Sequence, residues 1–255
     1  MTNIFYSIII PVKNQQNTIK NNLLRLIKKL KKLKKMNFLK NWEIILIDDG
    51  SKDKTILKIK KFKAKQKKLK LVINEKNRGK GYSIKRGIKF LNKQSKKIIT
   101  IDADMPYLET FDKFIFELNK CNLAIIDRKN KNSKLINKKK NFYIYYRIFI
   151  GHLLNLIFRI FRLTSLKDTQ AGLKGFNSSY KKIFRYIKTD GFLYDLEFLL
   201  MLEKKNIIPK LIPCRYSVSN NSSITFNLNI YWKILRDLLI IILNKFKKKY
   251  NLSKI

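Results

Sequence analysis

Four short apolar runs recur through the first hundred residues, and helical spacing follows the first three. Tyr6-Ser7-Ile8-Ile9-Ile10-Pro11, Trp42 to Ile47, Leu69-Lys70-Leu71-Val72-Ile73 and Ile98-Ile99-Thr100-Ile101 are rich in β-branched residues and end near turn formers or acids. Near-continuous apolar runs of this length are strands buried on both faces. After the first, Ile19, Leu23, Ile27, Leu30 and Leu33 fall on one helical face behind Thr18, a residue type that caps helix N-termini. Asp53 to Lys65, and the stretch from Gly81 to about Asn92, predict two more helices. Strand and helix alternating at this spacing point to one fold class, α/β: a Rossmann-like, mostly parallel central sheet with helices on both faces. The expected organisation is one catalytic domain over 1–225 and a basic amphipathic C-terminal helix over 226–255.

Open α/β sheets bind ligands at the carboxyl ends of their strands, and the unusual polar segments of this half all fall there. Ile98-Ile99-Thr100-Ile101 runs straight into Asp102-Ala103-Asp104. Residues two apart on a strand face the same way, so the two carboxylates can converge on one target. Neighbouring carboxylates repel unless a cation lies between them. A hard divalent ion carrying phosphates, Mg²⁺ or Mn²⁺, suits the pair, and capping of a helix that starts near Leu108 is its alternative use. Asp49, before Gly50 and Ser51, suits hydrogen bonds to a base or ribose, or an ordinary turn. Asn77-Arg78-Gly79-Lys80-Gly81 joins small residues for close backbone approach to two cations for phosphate. Its spacing is neither that of the dinucleotide fingerprint nor that of the P-loop.

Fifty-eight Lys plus Arg against 17 Asp plus Glu give a net charge of +41, which draws a chain to nucleic acid or to an anionic membrane. Part of the excess belongs to a joint enrichment in Lys, Ile and Asn. Clusters such as Lys28-Lys29 and Lys31-Lys32 lie on the solvent side of the first helical pattern. A non-enzymatic nucleic-acid binder would leave the acids at strand ends without a role, and no binding motif is present, so no nucleic acid is expected as partner. Hydrophobic residues at 45% exclude a disordered chain. Cys121 and Cys214 stand far apart and suggest neither a disulfide framework nor a zinc site. They indicate a reducing compartment. The first residues enter strand-like sequence without the pattern of a secretory signal, so a cytoplasmic location is expected.

The series Ile9-Ile10-Pro11-Val12-Lys13-Asn14, Ile47-Asp48-Asp49-Gly50-Ser51, Asn77-Arg78-Gly79-Lys80-Gly81 and Asp102-Ala103-Asp104 resembles the family 2 glycosyltransferases of GT-A fold. Ile126-Asp127-Arg128, Tyr146-Arg147, Asp168-Thr169-Gln170-Ala171-Gly172-Leu173-Lys174-Gly175-Phe176 and Phe192-Leu193-Tyr194-Asp195-Leu196-Glu197 follow the order of its polyprenyl-phosphate hexosyltransferases, the dolichyl-phosphate β-glucosyltransferase kind above all. The likeness runs from about residue 6 to 245. It implies inverting transfer of a hexose from a nucleotide sugar, UDP-glucose before GDP-mannose, to a polyprenyl phosphate. It implies nucleotide-sugar binding by Pro11, Lys13, Asn14, Asp49, Asn77, Gly79, Lys80, Gly81, Asp102 and Ala103, and Mg²⁺ or Mn²⁺ on Asp102 and Asp104. Asp104, Asp168, Arg128, Arg147 and Lys174 become the catalytic candidates, the cations holding the acceptor phosphate and Asp168 orienting a cation or the acceptor. Gln170, Gly172, Asp195 and Glu197 become supports on the acceptor side. The chain departs from the pattern at Gln15, where Glu is frequent. Pro106 stands where mannosyltransferases carry a Gln ligand, and Asn221-Ser222-Ser223 stands where Gly-Ser-Lys is usual.

No run reaches the roughly 18 apolar residues of a spanning helix. Phe142 to Phe161 and Ile230 to Phe246 instead combine aromatic and aliphatic residues with basic flanks, Lys138-Lys139-Lys140 and Lys247-Lys248-Lys249 among them. Both read as interfacial helices or as packed ones, the second favouring the interface, and a peripheral position on the cytoplasmic face of an anionic membrane follows. The lone His152 reads as a packing or interfacial residue. A GT-A enzyme with a soluble glycan or protein acceptor is the rival reading.

Overall fold

The computed structural model describes residues 4–136, 151, 153–217, 228–247 and 250. All four apolar runs are strands: β1 (Phe5–Val12), β2 (Asn41–Asp48), β3 (Leu69–Ile73) and β4 (Lys97–Thr100). The intervening stretches form α1 (Ile19–Lys35), α2 (Thr55–Lys63) and α3 (Lys80–Ile88). Then come α4 (Phe111–Lys120), β5 (Leu123–Asp127), β6 (Lys134–Leu135) and α5, helical at 151 and 153–160. The chain closes with β7 (Lys174–Asn177), α6 (Tyr194–Glu203), β8 (Lys210–Pro213), β9 (Arg215–Tyr216) and α7 (Leu228–Phe246). The main sheet has seven strands in the order β3-β2-β1-β4-β7-β5-β8, and β6 pairs with β9 apart from it.

Strand alternation divides the core into two layers. Ile8, Ile10, Ile44, Leu46, Ile99 and Ile126 face α1, α2 and α4 through Leu23, Leu30, Ile59, Phe114 and Leu118. Ile9, Ile45, Ile47, Ile98 and Ile125 face the other way, with Ile84 of α3, Phe158 of α5, Leu199 of α6, and Leu238 and Ile241 of α7. The sheet is therefore covered on both faces, which is what near-continuous apolar strands require.

β7 is the exception to parallel order: it runs antiparallel to both β4 and β5, while β1–β2, β1–β4, β2–β3 and β5–β8 are parallel. Its reversal has a consequence for function. The residues just before an antiparallel strand lie beside the carboxyl ends of its neighbours, so the 168–172 segment is delivered to the ends of β4 and β5.

The helix ends differ from the sequence expectation. Thr18 occupies the N-cap of α1, but its hydroxyl donates to Gln15 Oε1 at 2.7 Å and makes no cap bond. The second helix is two residues shorter at each end; at its start, Asp53 Oδ1 accepts Thr55 N–H at 3.0 Å in a local turn. α3 ends at Ile88, short of Asn92.

Candidate active site

Past β4 the chain turns instead of continuing as a strand, contrary to the sequence expectation: Met105 N–H donates to the Asp102 carbonyl at 3.0 Å, and Met105 has a φ of +50°. Ile101, Ala103 and Met105 are buried, whereas Asp102 and Asp104 are partly exposed. Asn22 of α1 fixes this segment by donating to the Ala103 carbonyl at 2.9 Å. The pair does not cap a helix, since α4 begins only at Phe111, behind a 3-10 turn at Leu108–Thr110.

Asp102 meets a cation from the glycine-rich segment: Lys80 Nζ lies 2.7 Å from its Oδ1 and 3.5 Å from Asp195 Oδ2. Asp195 Oδ1 in turn lies 2.8 Å from Lys174 Nζ, which also donates to the Ala171 carbonyl at 2.5 Å. Asp102, Lys80, Asp195 and Lys174 thus form a row of alternating sign. Burial alone would push a lysine toward neutrality. At Lys80 burial acts that way but is outweighed by Asp102 and Asp195, and the ammonium is held well above the usual lysine range. At Lys174 burial wins, and its pKa is lowered despite Asp195. Burial acts to raise the Asp102 carboxyl, yet the charge and hydrogen bond of Lys80, with Lys174 and Arg128 adding, bring it below the ordinary range.

The segment ahead of β7 completes the cleft. Both Asp168 oxygens are bound by Arg128, through Nε and Nη2 at 2.7 Å each, and the Arg128 N–H donates to Oδ2 at 3.0 Å. Burial would raise the Asp168 carboxyl, but the Arg128 fork holds it below the ordinary range. Gly172 leaves room for Asp102: a Cβ built on it would lie 1.8 Å from Asp102 Oδ2. The Gln170 amide donates to its neighbour Thr169 Oγ1 at 3.4 Å.

Two of the segments expected to meet the ligand make bonds within the fold. Asp49 accepts Asn74 Nδ2, Arg78 N–H and Gly79 N–H, each at 2.9 Å, and so anchors the loop that follows β3. The glycines of that loop do admit a close backbone, but it belongs to the protein. Gly81 N–H donates to the Gly191 carbonyl and Tyr82 N–H to the Asp190 carbonyl, both at 3.1 Å. A Cβ on Gly79, whose φ is +104°, would lie 2.4 Å from Asp190 O. These amides of the α3 N-terminus are used inside the fold, and the cation Lys80 is what the loop presents to the cleft.

The remaining candidates divide likewise. Pro11 pairs with Ile47 in the β1–β2 register. Asn14 ties the β1 loop to the β2 loop, donating its N–H to Ser51 Oγ and accepting Lys52 N–H, both at 2.9 Å. Lys13 is partly exposed and Asn77 exposed. Glu197 is buried and holds a turn: it accepts Thr189 N–H at 2.9 Å, Thr189 Oγ1 at 2.7 Å and the Tyr250 hydroxyl at 2.8 Å. Arg147, Tyr146, His152 and Asn221-Ser222-Ser223 lie outside the described residues. Unforeseen in the sequence were Asn74, the Asp190-Gly191 turn and Asp237, which accepts Gly191 N–H at 3.1 Å. Unforeseen too was Tyr107, buried beside Arg128, Asp168 and Asp102, with burial raising its phenol. Only the Asp-Gly pair carried a signal, as a turn dipeptide.

Among the described residues no three His, Cys, Asp or Glu side chains cluster as a metal cage. Asp102 and Asp104, both partly exposed and two residues apart in the turn, still supply the oxygens that suit a hard divalent ion whose other ligands are water and a diphosphate.

A family model described as glycosyl transferase family 2 matches residues 7–185. The chain is 32% identical over 263 residues to dolichyl-phosphate β-glucosyltransferase of Saccharomyces cerevisiae, a match covering 93% of this chain and 74% of that one. It is 31% identical over 219 residues to the protein of the same name from Dictyostelium discoideum, covering 80% and 64%; the chain thus spans less than two-thirds of that relative's length. Among solved structures it is similar to glucosyl-3-phosphoglycerate synthase from Mycobacterium tuberculosis in complex with Mn²⁺, UDP and phosphoglyceric acid. That likeness has a TM-score of 0.59 at 15% identity, covers 94% of this chain and 78% of that one, and is one of fold, GT-A.

Proposed function

Because this chain belongs to glycosyl transferase family 2, we propose that it moves glucose, with inversion, from UDP-glucose to a polyprenyl phosphate at a membrane surface. The observation that carries the reading is the charge row Asp102–Lys80–Asp195–Lys174 beside the Arg128–Asp168 pair, at the strand ends where α/β sheets bind ligands. The names of the yeast and Dictyostelium relatives support the sugar and the acceptor. The mycobacterial structures with Mn²⁺ and UDP support the nucleotide and the ion.

Asp102 and Asp104 are the residues that hold Mg²⁺ or Mn²⁺, whose chemistry is to neutralise the charge of a departing diphosphate. Lys80, paired with Asp102, adds a second positive charge. A phosphate monoester, with a second pKa of about 6, is already an anion near neutral pH. It needs no strong base, only cations that hold it in line. One of its oxygens forms the bond to the anomeric carbon, the bond from that carbon to the UDP oxygen breaks, and the electron pair leaves with UDP. Arg128, with 32% of its side chain exposed and its fork braced by Asp168, and Arg147 are the acceptor-side cations in this reading. Lys174, only 2% exposed, acts through Asp195 and Lys80 rather than on the acceptor.

Apolar residues exposed on α5 (Leu153, Leu156, Ile160) and α7 (Trp232, Leu235, Leu239, Leu243, Phe246) supply the membrane contact. No helix among the described residues is long and apolar enough to cross a membrane. The test is incubation with Mg²⁺, a polyprenyl phosphate and labelled UDP-glucose or GDP-mannose, then organic extraction. Label enters the lipid phase from UDP-glucose and is lost with Asp104→Ala. Absence of lipid label from either donor defeats the lipid acceptor, and label on a soluble glycan instead favours the rival.

A further inference from the structure

One of the buried acids outside the cleft, Asp237, lies on α7. It is 1% exposed, yet its carboxylate reaches the glycine loop of the cleft in two steps. Its Oδ2 accepts Gly191 N–H at 3.1 Å, and a Cβ on Gly191 would lie 2.4 Å from that same oxygen. The turn so held supplies the carbonyls of Asp190 and Gly191 to the amides of Tyr82 and Gly81. Lys85 of α3 closes the arrangement, its Nζ 2.6 Å from Asp190 Oδ1. The other oxygen of Asp237, Oδ1, accepts from Arg236 Nη2 at 3.0 Å, a pair of small energetic weight with most of that arginine in solvent.

We propose that Asp237 is a positioning residue for the donor site: from α7 it fixes the Asp190-Gly191 turn, the turn fixes Gly79 to Gly81, and this sets where Lys80 meets the donor diphosphate. The inference rests on the reading that this loop takes the donor. Gly79 and Gly81 pack directly on the turn, with no space for a Cβ on either, and the Gly81 and Tyr82 amides are bonded to its carbonyls. The loop therefore moves with the turn, and the turn with Asp237. Since the other face of α7 carries Trp232 and Leu239 into the surroundings, the helix that offers itself to a membrane is also the one bonded to the donor loop.

The experiment is calorimetric titration of the full chain with UDP and Mn²⁺, together with the donor KM and kcat, for wild type, Lys80→Ala, Asp237→Ala, Asp237→Asn and Gly191→Ala. Asp237→Ala is expected to weaken UDP by about tenfold, the scale of one hydrogen bond to a charged acceptor. The loss should fall on donor KM and leave acceptor KM unchanged. Asp237→Asn keeps an oxygen for Gly191 N–H and should stay within about twofold of wild type. Gly191→Ala, which drives the carboxylate away and leaves the buried acid in place, should mimic Asp237→Ala if that variant fails to fold. UDP affinity unchanged in Asp237→Ala or Gly191→Ala, while Lys80→Ala is impaired, overturns the inference alone. Failure of wild type to bind UDP, or binding unimpaired by Lys80→Ala, overturns the donor reading and the inference with it.

Discussion

A methyl group at position 172 has no room. Its carbon would lie 1.8 Å from Asp102 Oδ2 and 2.3 Å from Asp102 Cγ, so Gly172→Ala must displace an acid assigned to the ion and the diphosphate. Catalysis is expected to fall by about 100-fold in kcat/KM, near 3 kcal/mol of transition-state stabilisation. Gly151→Ala is the control, since a Cβ there has nothing within 4 Å, and its kcat/KM should match wild type. Asp168 gives a pH test. Its carboxyl is held below the ordinary range against burial by Arg128, so the folded state binds its proton less readily than the unfolded chain, where the pKa is about 3.9. The stability it contributes is fully present above that value and is lost as pH falls through the lower folded value. Thermal unfolding followed by circular dichroism should show Tm dropping less steeply below about pH 4 in Asp168→Asn than in wild type. Equal slopes would deny the pair this role. Residue types in the cleft were legible because turn formers and acids at strand ends are rare enough to stand out. Their partners were not: Lys80 is paired across more than a hundred positions with Asp195, and no local pattern encodes such a contact.

Elements were more legible than pairings, because periodicity is a local property. The α1 stripe is buried as expected, with Ile19, Leu23 and Leu30 inaccessible; Leu26 is buried beside it, and Leu24 lies on the far side at 45% exposure. Leu30→Ala should therefore cost roughly 2–5 kcal/mol in chemical unfolding. Leu24→Ala should stay within about 0.5 kcal/mol. β7 was not foreseen as a strand, since Lys174-Gly175-Phe176-Asn177 is short, carries a charge and has no alternation to read. Its place between β4 and β5 satisfies its backbone, and Asp195 with the Ala171 carbonyl satisfies its lysine. α6 explains why Asp195 and Glu197 look like ordinary first-turn acids. Every residue from Tyr194 to Leu202 is buried, so the helix has no solvent face and both carboxylates need internal partners. Asp195→Ala would strand Lys174 in the interior, a loss of about 3–5 kcal/mol measurable by denaturant unfolding.

For the whole molecule the question is how a chain with net charge +41 and an exposed apolar helix face seats on lipid. Charge and apolar area make separable contributions. Attraction to an anionic bilayer is worth about 1 kcal/mol per basic residue near the surface. It weakens as salt shortens the screening length from about 10 Å at 0.1 M to about 3 Å at 1 M. Insertion of Trp232, Leu235 and Leu239 is not screened. The chain's two tryptophans allow the two to be read apart, because Trp42 is buried in the core while Trp232 is 70% exposed. With phosphatidylserine-containing vesicles at low salt, Trp232 emission is expected to shift to the blue as the protein cosediments, while Trp42 supplies a constant background. Raising salt should reduce the bound fraction without reversing the shift of the protein that stays bound. Leu235→Ser with Leu239→Ser should abolish that residual binding and leave the low-salt attraction weakened but present. Cosedimentation without any blue shift would mean that charge alone holds the protein to lipid, with α7 turned away from the bilayer.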